Sequence, residues 1–254
     1  MIDVADSKCV DEIRPSANFE PRRLGVRPDI LLLHYTGMTS AARAIDWLCR
    51  PESRVSSHYV IDEQGRVTQL VAEGARAWHA GVASWRGETD INSLSIGIEI
   101  HNPGHDDGYP DFPEAQMARL EALCRDIVQR WQIVPERVLA HSDVAPRRKI
   151  DPGEKFDWER LHAAGVGYWV APAPLYSRGD GFDLNAGAPE VLEAQQRLAQ
   201  FGYGVPLTGA LDEETVVVLT AFQRHFRPAR CDGRLDGSTL DTLRRLTKSV
   251  PPTT

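Results

Sequence analysis

Four consecutive apolar residues, Ile30-Leu31-Leu32-Leu33, constrain this chain more than any other feature. A run so short and uninterrupted suits a strand covered on both faces, which requires a sheet with a layer on each side. The following segments supply those layers. Residues 41–50 are compatible with a helix, and 56–61 and 66–71 read as strands joined through Asp62-Glu63-Gln64-Gly65, the pattern of a hairpin. Residues 94–100 form an Ile-rich strand. Met117, Leu120, Cys124, Ile127, Val128 and Trp131 recur at helical spacing behind Pro113-Glu114, and Val138-Leu139-Ala140 reads as a strand end. This order predicts an α/β fold over 29–170, with a mixed central β-sheet flanked by helices. Residues 1–28, interrupted by Pro15, Pro21 and Pro28, read as an irregular N-terminal arm.

Past Val170 the character changes. Ala171-Pro172-Ala173-Pro174 opens a linker over 171–186, and the segment 187–247 carries an internal repeat. Gly209-Ala210-Leu211-Asp212 through Leu219 aligns with Gly233-Arg234-Leu235-Asp236 through Leu243, both as G-x-L-D-x-x-T-x-x-x-L. Each Asp is placed to cap a helix, and each following Leu falls on an apolar helix face. So short a segment has few ways to build a core, and a small C-terminal three-helix domain is expected. A tail, 248–254, cannot continue a helix through Pro251 and Pro252.

Composition excludes several classes of function. The formal charge of -7 gives no electrostatic footprint for nucleic acid. No stretch approaches the ~20 apolar residues of a membrane helix. The start, MIDVADSKCVDEIRPS, lacks the basic and then apolar pattern of a secretory signal, so a cytoplasmic protein is expected, or a periplasmic one if a leader has been removed. Cys9, Cys49, Cys124 and Cys231 form no close pair, which suits reduced, mostly buried thiols.

No HExxH or CxxC motif selects metal ligands from the 8 histidines. His34 and His141 each end a strand, a common location for functional groups in α/β proteins. Around them six blocks occur in order: Ile30-Leu-Leu-Leu-His34-Tyr-Thr, Ser57-His58-Tyr59-Val60-Ile61, Ala77-Trp78-His79-Ala80-Gly81, Ser95-Ile96-Gly97-Ile98-Glu99, Ala140-His141-Ser142-Asp143 and Arg148-Lys149-Ile150-Asp151-Pro152-Gly153. In these blocks the chain resembles the zinc-dependent N-acetylmuramoyl-L-alanine amidases, the family of bacteriophage T7 lysozyme and the peptidoglycan recognition proteins. The segment 187–247 resembles the three-helix peptidoglycan-binding module often attached to such enzymes.

The resemblance implies that Zn2+ is held by His34, His141 and Asp151. Two neutral imidazoles and a carboxylate leave zinc a fourth position for water, the arrangement of a catalytic site. It also implies Glu99 as general base and Lys149 as the cation steadying the oxyanion. Alternation along the strand puts Glu99 on the face opposite Ile98 and Ile100, where it can point into a cleft. Tyr35, Trp78, His79, Trp85, Arg86 and Asn92 are expected to contact substrate, with the tryptophans offering faces to sugar or peptide and Arg86 suiting a stem-peptide carboxylate. His58 is expected to orient the sheet.

Two features depart from the family pattern. No leader is evident, which favours relatives that recycle anhydro-muropeptides, yet a wall-binding module suits polymeric wall. The module's D-G-x-x-G-x-x-T loop is altered in its first copy, Thr208-Gly209-Ala210-Leu211-Asp212, and better kept in the second. The implied partners are peptidoglycan fragments or anhydro-muropeptides, with no nucleic acid and no membrane segment. The alternatives are a receptor that binds muropeptides without cutting them and an endopeptidase acting within the stem.

Overall fold

The computed structural model describes residues 2–175 and 181–249; positions 176–180 of the expected linker and 250–254 of the expected tail lie outside the described residues. Strands β1 (Glu12–Ile13) and β2 (Phe19–Pro21) come first, followed by β3 (Ile30–Tyr35), helix α1 (Ala41–Cys49), β4 (Tyr59–Ile61), β5 (Val67–Gln69) and β6 (Ala75–Ala77). Helix α2 (Ile91–Leu94) runs directly into β7 (Ser95–Ile100), and α3 (Glu114–Trp131), β8 (Val138–Ala140), α4 (His141–Val144) and α5 (Trp158–Ala163) follow. The C-terminal region contributes α6 (Pro189–Phe201), α7 (Glu213–Phe226) and α8 (Gly237–Ser249), the three expected helices.

The expected mixed sheet is present. Its six strands run β1-β5-β4-β7-β3-β8, parallel except for the antiparallel β4–β5 hairpin. The hairpin closes as Asp62 Oδ1 accepts the N–H groups of Gln64 at 3.0 Å and Arg66 at 2.8 Å, with Gly65 in the left-handed region at φ +82°. Residues 2–28 are largely irregular, as their prolines suggest, but two short strands interrupt them. β1 joins the sheet edge beside β5, and β2 pairs with β6 in a separate two-stranded sheet. Strands of two or three residues carry no readable alternation; partners distant in sequence impose them, as when Asp11 N–H donates to Val67 O at 2.9 Å.

Alternation gives the central strands two different faces. Leu31, Leu33, Ile96, Ile98 and Ile100 pack with Met117, Leu120, Leu123 and Ile127 of α3. Ile30 and Leu32 face the other way, in one apolar cluster with Trp85 and Val144 and with Val191, Leu198, Phe222 and Leu243 of the C-terminal helices. Those helices therefore cover part of the second face of the sheet, and each large apolar side chain so buried contributes roughly 1.5–3 kcal/mol over its exposed state.

The internal repeat is a repeat of hydrogen bonds. Asp212 Oδ1 accepts from Thr215 N–H at 2.8 Å to cap α7, and Asp236 Oδ1 accepts from Thr239 N–H at 2.6 Å at the start of α8. A glutamine serves each preceding loop: Gln195 accepts from Gly209 N–H and donates to Ala210 O, while Gln223 accepts from Gly233 N–H and donates to Arg234 O.

Candidate active site

Three strand ends build the site. In the parallel β3–β7 register His34 lies opposite Glu99, and because Leu33, Ile98 and Ile100 face α3, both side chains project from the opposite face. Ala140 of β8 pairs with Leu33, so His141, which opens α4, emerges beside His34. Ser142 N–H donates to Asp151 O at 3.0 Å and draws the Asp151 loop back to the same place.

The outcome is a convergence of three buried donor atoms. His34 Nδ1 lies 2.8 Å from His141 Nδ1, and Asp151 Oδ2 lies 3.3 Å and 3.0 Å from these two nitrogens. Two ligands of a tetrahedral zinc stand about 3.3 Å apart, so the spacing suits a small divalent ion.

Hydrogen bonds around the rings fix which nitrogen is free. The Ser95 hydroxyl donates to Ile91 O at 2.6 Å and so accepts from His79 Nε2–H, 3.4 Å away. His79 Nδ1 is then a lone pair and accepts His34 Nε2–H at 3.0 Å, which leaves His34 Nδ1 bare. His141 Nε2–H donates to Ala80 O at 3.1 Å, and its Nδ1 is bare as well. Two lone pairs and a carboxylate oxygen at this separation repel one another unless a cation lies between them. These residues fit a metal ion, and His34, His141 and Asp151 could hold one.

The protonation states agree. Burial, and then the neighbouring His141, push His34 down to about 4. Burial alone would raise Asp151, but His141 and His34 outweigh it and hold the carboxyl well below its ordinary value. Both groups are thus in their metal-binding forms at neutral pH.

A cleft of about 360 Å³ opens onto this centre, lined by Tyr35, Trp47, Trp78, Glu99 and Lys149 among others. Glu99 Oε2 is sealed and finds no hydrogen-bond partner among the described residues. Burial, and then the charge of Asp151, raise the Glu99 carboxyl well above its usual value, with Lys149 opposing. Tyr35 lies at the cleft edge, its hydroxyl 3.0 Å from His105 Nδ1. Trp78 and Lys149 also border a second recess with Arg54, Arg148 and the Arg76–Glu20 ion pair.

Four residues expected to meet substrate are placed otherwise or only partly so. Trp85 is 1% exposed and stacks edge-on against Phe201 and Tyr203, so its face is closed to any ligand. Arg86 donates through Nε to Phe201 O at 3.1 Å and through its backbone N–H to Gly202 O, which makes it a strut to the C-terminal helices. The Asn92 Oδ1 accepts the N–H groups of His79 and Ala80 and shapes the Trp78–Gly81 loop from beneath. His79 lines the cleft but spends both ring nitrogens on His34 and Ser95. Its ring lies across Gly97, where a Cβ would sit 2.5 Å from Nδ1.

Sequence reasoning missed two participants. Trp47 is 45% exposed on α1 and lines the cleft; a large aromatic beside Leu48 on a short helix was the available signal. Asp143, inside the Ala140-His141-Ser142-Asp143 block, is a buried hub of hydrogen bonds and no surface group.

Similarity to known proteins agrees with this geometry. A family model described as N-acetylmuramoyl-L-alanine amidase matches residues 24–154. The chain belongs to that amidase family. A peptidoglycan-binding-domain family matches residues 187–243 of the amidase. It is 36% identical to the N-acetylmuramoyl-L-alanine amidase AmiD of Escherichia coli over 230 residues, covering 84% of this chain and 80% of AmiD. The 1,6-anhydro-N-acetylmuramyl-L-alanine amidase AmpD of Haemophilus influenzae is 41% identical over 110 residues, 43% of this chain and 58% of AmpD. Among solved structures, AmpDh3 of Pseudomonas aeruginosa in complex with anhydromuramic pentapeptide superposes with a TM-score of 0.74 at 34% identity, over 89% of this chain and 94% of that one. Among the described residues no helix is long and apolar enough to cross a membrane.

Proposed function

We propose that the amidase hydrolyses the amide joining N-acetylmuramic acid, or its 1,6-anhydro form, to L-Ala of the stem peptide, with zinc held by His34 Nδ1, His141 Nδ1 and Asp151 Oδ2. One observation carries this reading: two imidazoles with bare Nδ1 atoms and a carboxylate oxygen converge at the cleft lined by Glu99, whose Oε2 has no hydrogen-bond partner among the described residues. A bound zinc ion supplies a Lewis acid that polarises the amide carbonyl and acidifies water.

The protein's own groups manage the protons and charge. Glu99 takes a proton from the attacking water as its oxygen bonds to the lactyl carbonyl carbon, and a carboxyl raised above its ordinary value suits that task near neutral pH. Lys149 lends positive charge where the carbonyl oxygen becomes anionic. As the C–N bond breaks, Glu99 passes its proton to the departing L-Ala nitrogen. The products are a muramic acid carboxylate and a free stem peptide. Trp78 and Tyr35 border the substrate, and the neighbouring Arg54 and Arg148 suit the carboxylates of the stem, whereas Arg76 is already paired with Glu20 and Asp90.

The similarity to AmiD and AmpD, and to an AmpDh3 structure holding an anhydromuramic pentapeptide, supports muropeptides as substrate. A receptor that only binds would have no use for the complete donor set together with Glu99. Digestion of purified anhydro-muropeptides and of intact sacculi, read by mass spectrometry, tests the reading. Release of free tripeptide to pentapeptide stems supports it; cleavage within the stem, or unchanged substrate with zinc bound, contradicts it.

A further inference from the structure

Asp143 joins the two parts of the chain at the metal centre. Its carboxylate is 1% exposed and accepts three hydrogen bonds: Oδ2 from Ala140 N–H at 2.8 Å and from His225 Nδ1–H at 2.7 Å, and Oδ1 from the Tyr203 hydroxyl at 2.6 Å. The first bond belongs to the catalytic region and closes the turn that starts α4 at His141. The other two come from the C-terminal helices, Tyr203 just beyond α6 and His225 in the last turn of α7.

Neither donor can swing away. His225 is stacked between Trp158 and Phe226, with ring centroids 3.7 Å and 3.9 Å distant, and Tyr203 is wedged against Trp85 at 5.0 Å. α4 spans only four residues, too few to hold its own geometry through internal hydrogen bonds. The direction in which His141 leaves the sheet is thus set by what grips its first turn. Asp143 grips it, and the C-terminal helices grip Asp143.

We infer that Asp143 is a positioning residue for the metal centre, and that the C-terminal helical region, through Tyr203 and His225, completes that centre besides any role in holding cell wall. The inference rests on the reading of His34, His141 and Asp151 as metal ligands. It differs from a general packing role because it requires metal affinity, and not only stability, to respond to the hydroxyl of a residue in the other region. Groups that orient metal ligands from behind commonly change affinity or activity by about 10–100-fold when altered.

The full-length protein tests it with three variants: Tyr203→Phe, Asp143→Asn and Phe201→Leu. Zinc affinity is measured by competition with a chromogenic chelator, kcat and KM are measured on an anhydro-muropeptide at saturating zinc, and Tm is recorded for each. Tyr203→Phe keeps the ring against Trp85 and removes one donor, so it folds even if Asp143→Asn does not. The expected result is zinc binding weakened about 10–100-fold in Tyr203→Phe and Asp143→Asn with KM little changed. Phe201→Leu, which loosens the same interface without touching Asp143, lowers Tm and leaves zinc affinity near wild type. Wild-type zinc affinity in Tyr203→Phe, or an equal loss in Phe201→Leu, overturns the inference while the metal reading stands. A wild-type protein that binds no zinc overturns both.

Discussion

Glu99 stands directly across from His34 in the parallel register of β3 and β7, and the two side chains share the sheet face turned away from α3. One strand pair therefore delivers the proposed metal ligand and the proposed base to the same cleft. Glu99→Gln keeps the shape and removes the basic oxygen pair. The expected outcome is unchanged zinc content with kcat lower by about 10²–10⁴, the usual worth of a positioned proton-transfer group. Stopped assays with parallel metal analysis check it; near-normal turnover would assign the base elsewhere.

Gly97 leaves room for the ring that orients His34. A Cβ at this position would lie 2.5 Å from His79 Nδ1, the atom that accepts His34 Nε2–H. Gly97→Ala is expected to displace His79 and weaken zinc binding by about tenfold or more, as loss of a partner behind a metal ligand does. Chelator competition reads the change. An unaltered affinity would show that His34 needs no such support.

Acid should destabilise the fold through His58. Its Nδ1 accepts Gly97 N–H at 2.9 Å and its Nε2 lies 3.2 Å from Ala75 O, so the buried ring is held neutral. Burial, and then the nearby Arg22, push it down to about 3. Above about pH 6.5 neither folded nor unfolded chain binds the proton, and the stability is fully present. Between about 6.5 and 3 only the unfolded chain takes it up, so stability is lost as pH falls, at up to about 1.4 kcal/mol per pH unit for this one group. Urea midpoints from pH 7.5 to 5 should decline less steeply in His58→Gln than in wild type; parallel curves would remove His58 as the cause.

Trp85 belongs to the core between the catalytic sheet and the C-terminal helices. Trp85→Ala is expected to lower stability by about 3–5 kcal/mol, the cost of emptying a large aromatic site. Its KM for a small muropeptide should stay within twofold. A selective rise in KM with an unmoved denaturation midpoint would restore the substrate-facing reading.

The contrast between Glu99 and Trp85 marks what the sequence could convey. The Glu99 orientation followed from local alternation with Ile98 and Ile100, and the Asp212 and Asp236 caps followed from a local repeat; each needs only neighbours a few residues away. His34, His141 and Asp151 were legible as a set because three motif blocks carried them, although nothing in their spacing required them to meet. Trp85 and Arg86 look like cleft residues in one dimension. Their partners, Phe201, Gly202 and Tyr203, lie over a hundred positions downstream. β1 and β2 were hidden for the same reason, being too short to show a pattern without β5 and β6 beside them.

The proposed hydrolysis depends on a metal ion held among His34, His141 and Asp151. Metal content per chain, measured by plasma emission alongside hydrolysis of an anhydro-muropeptide, tests that most directly in wild type and in Asp151→Ala. One equivalent of zinc with activity in the first, and neither in the second, is the expected result. Full activity in protein stripped of divalent metal, or in Asp151→Ala, would contradict it.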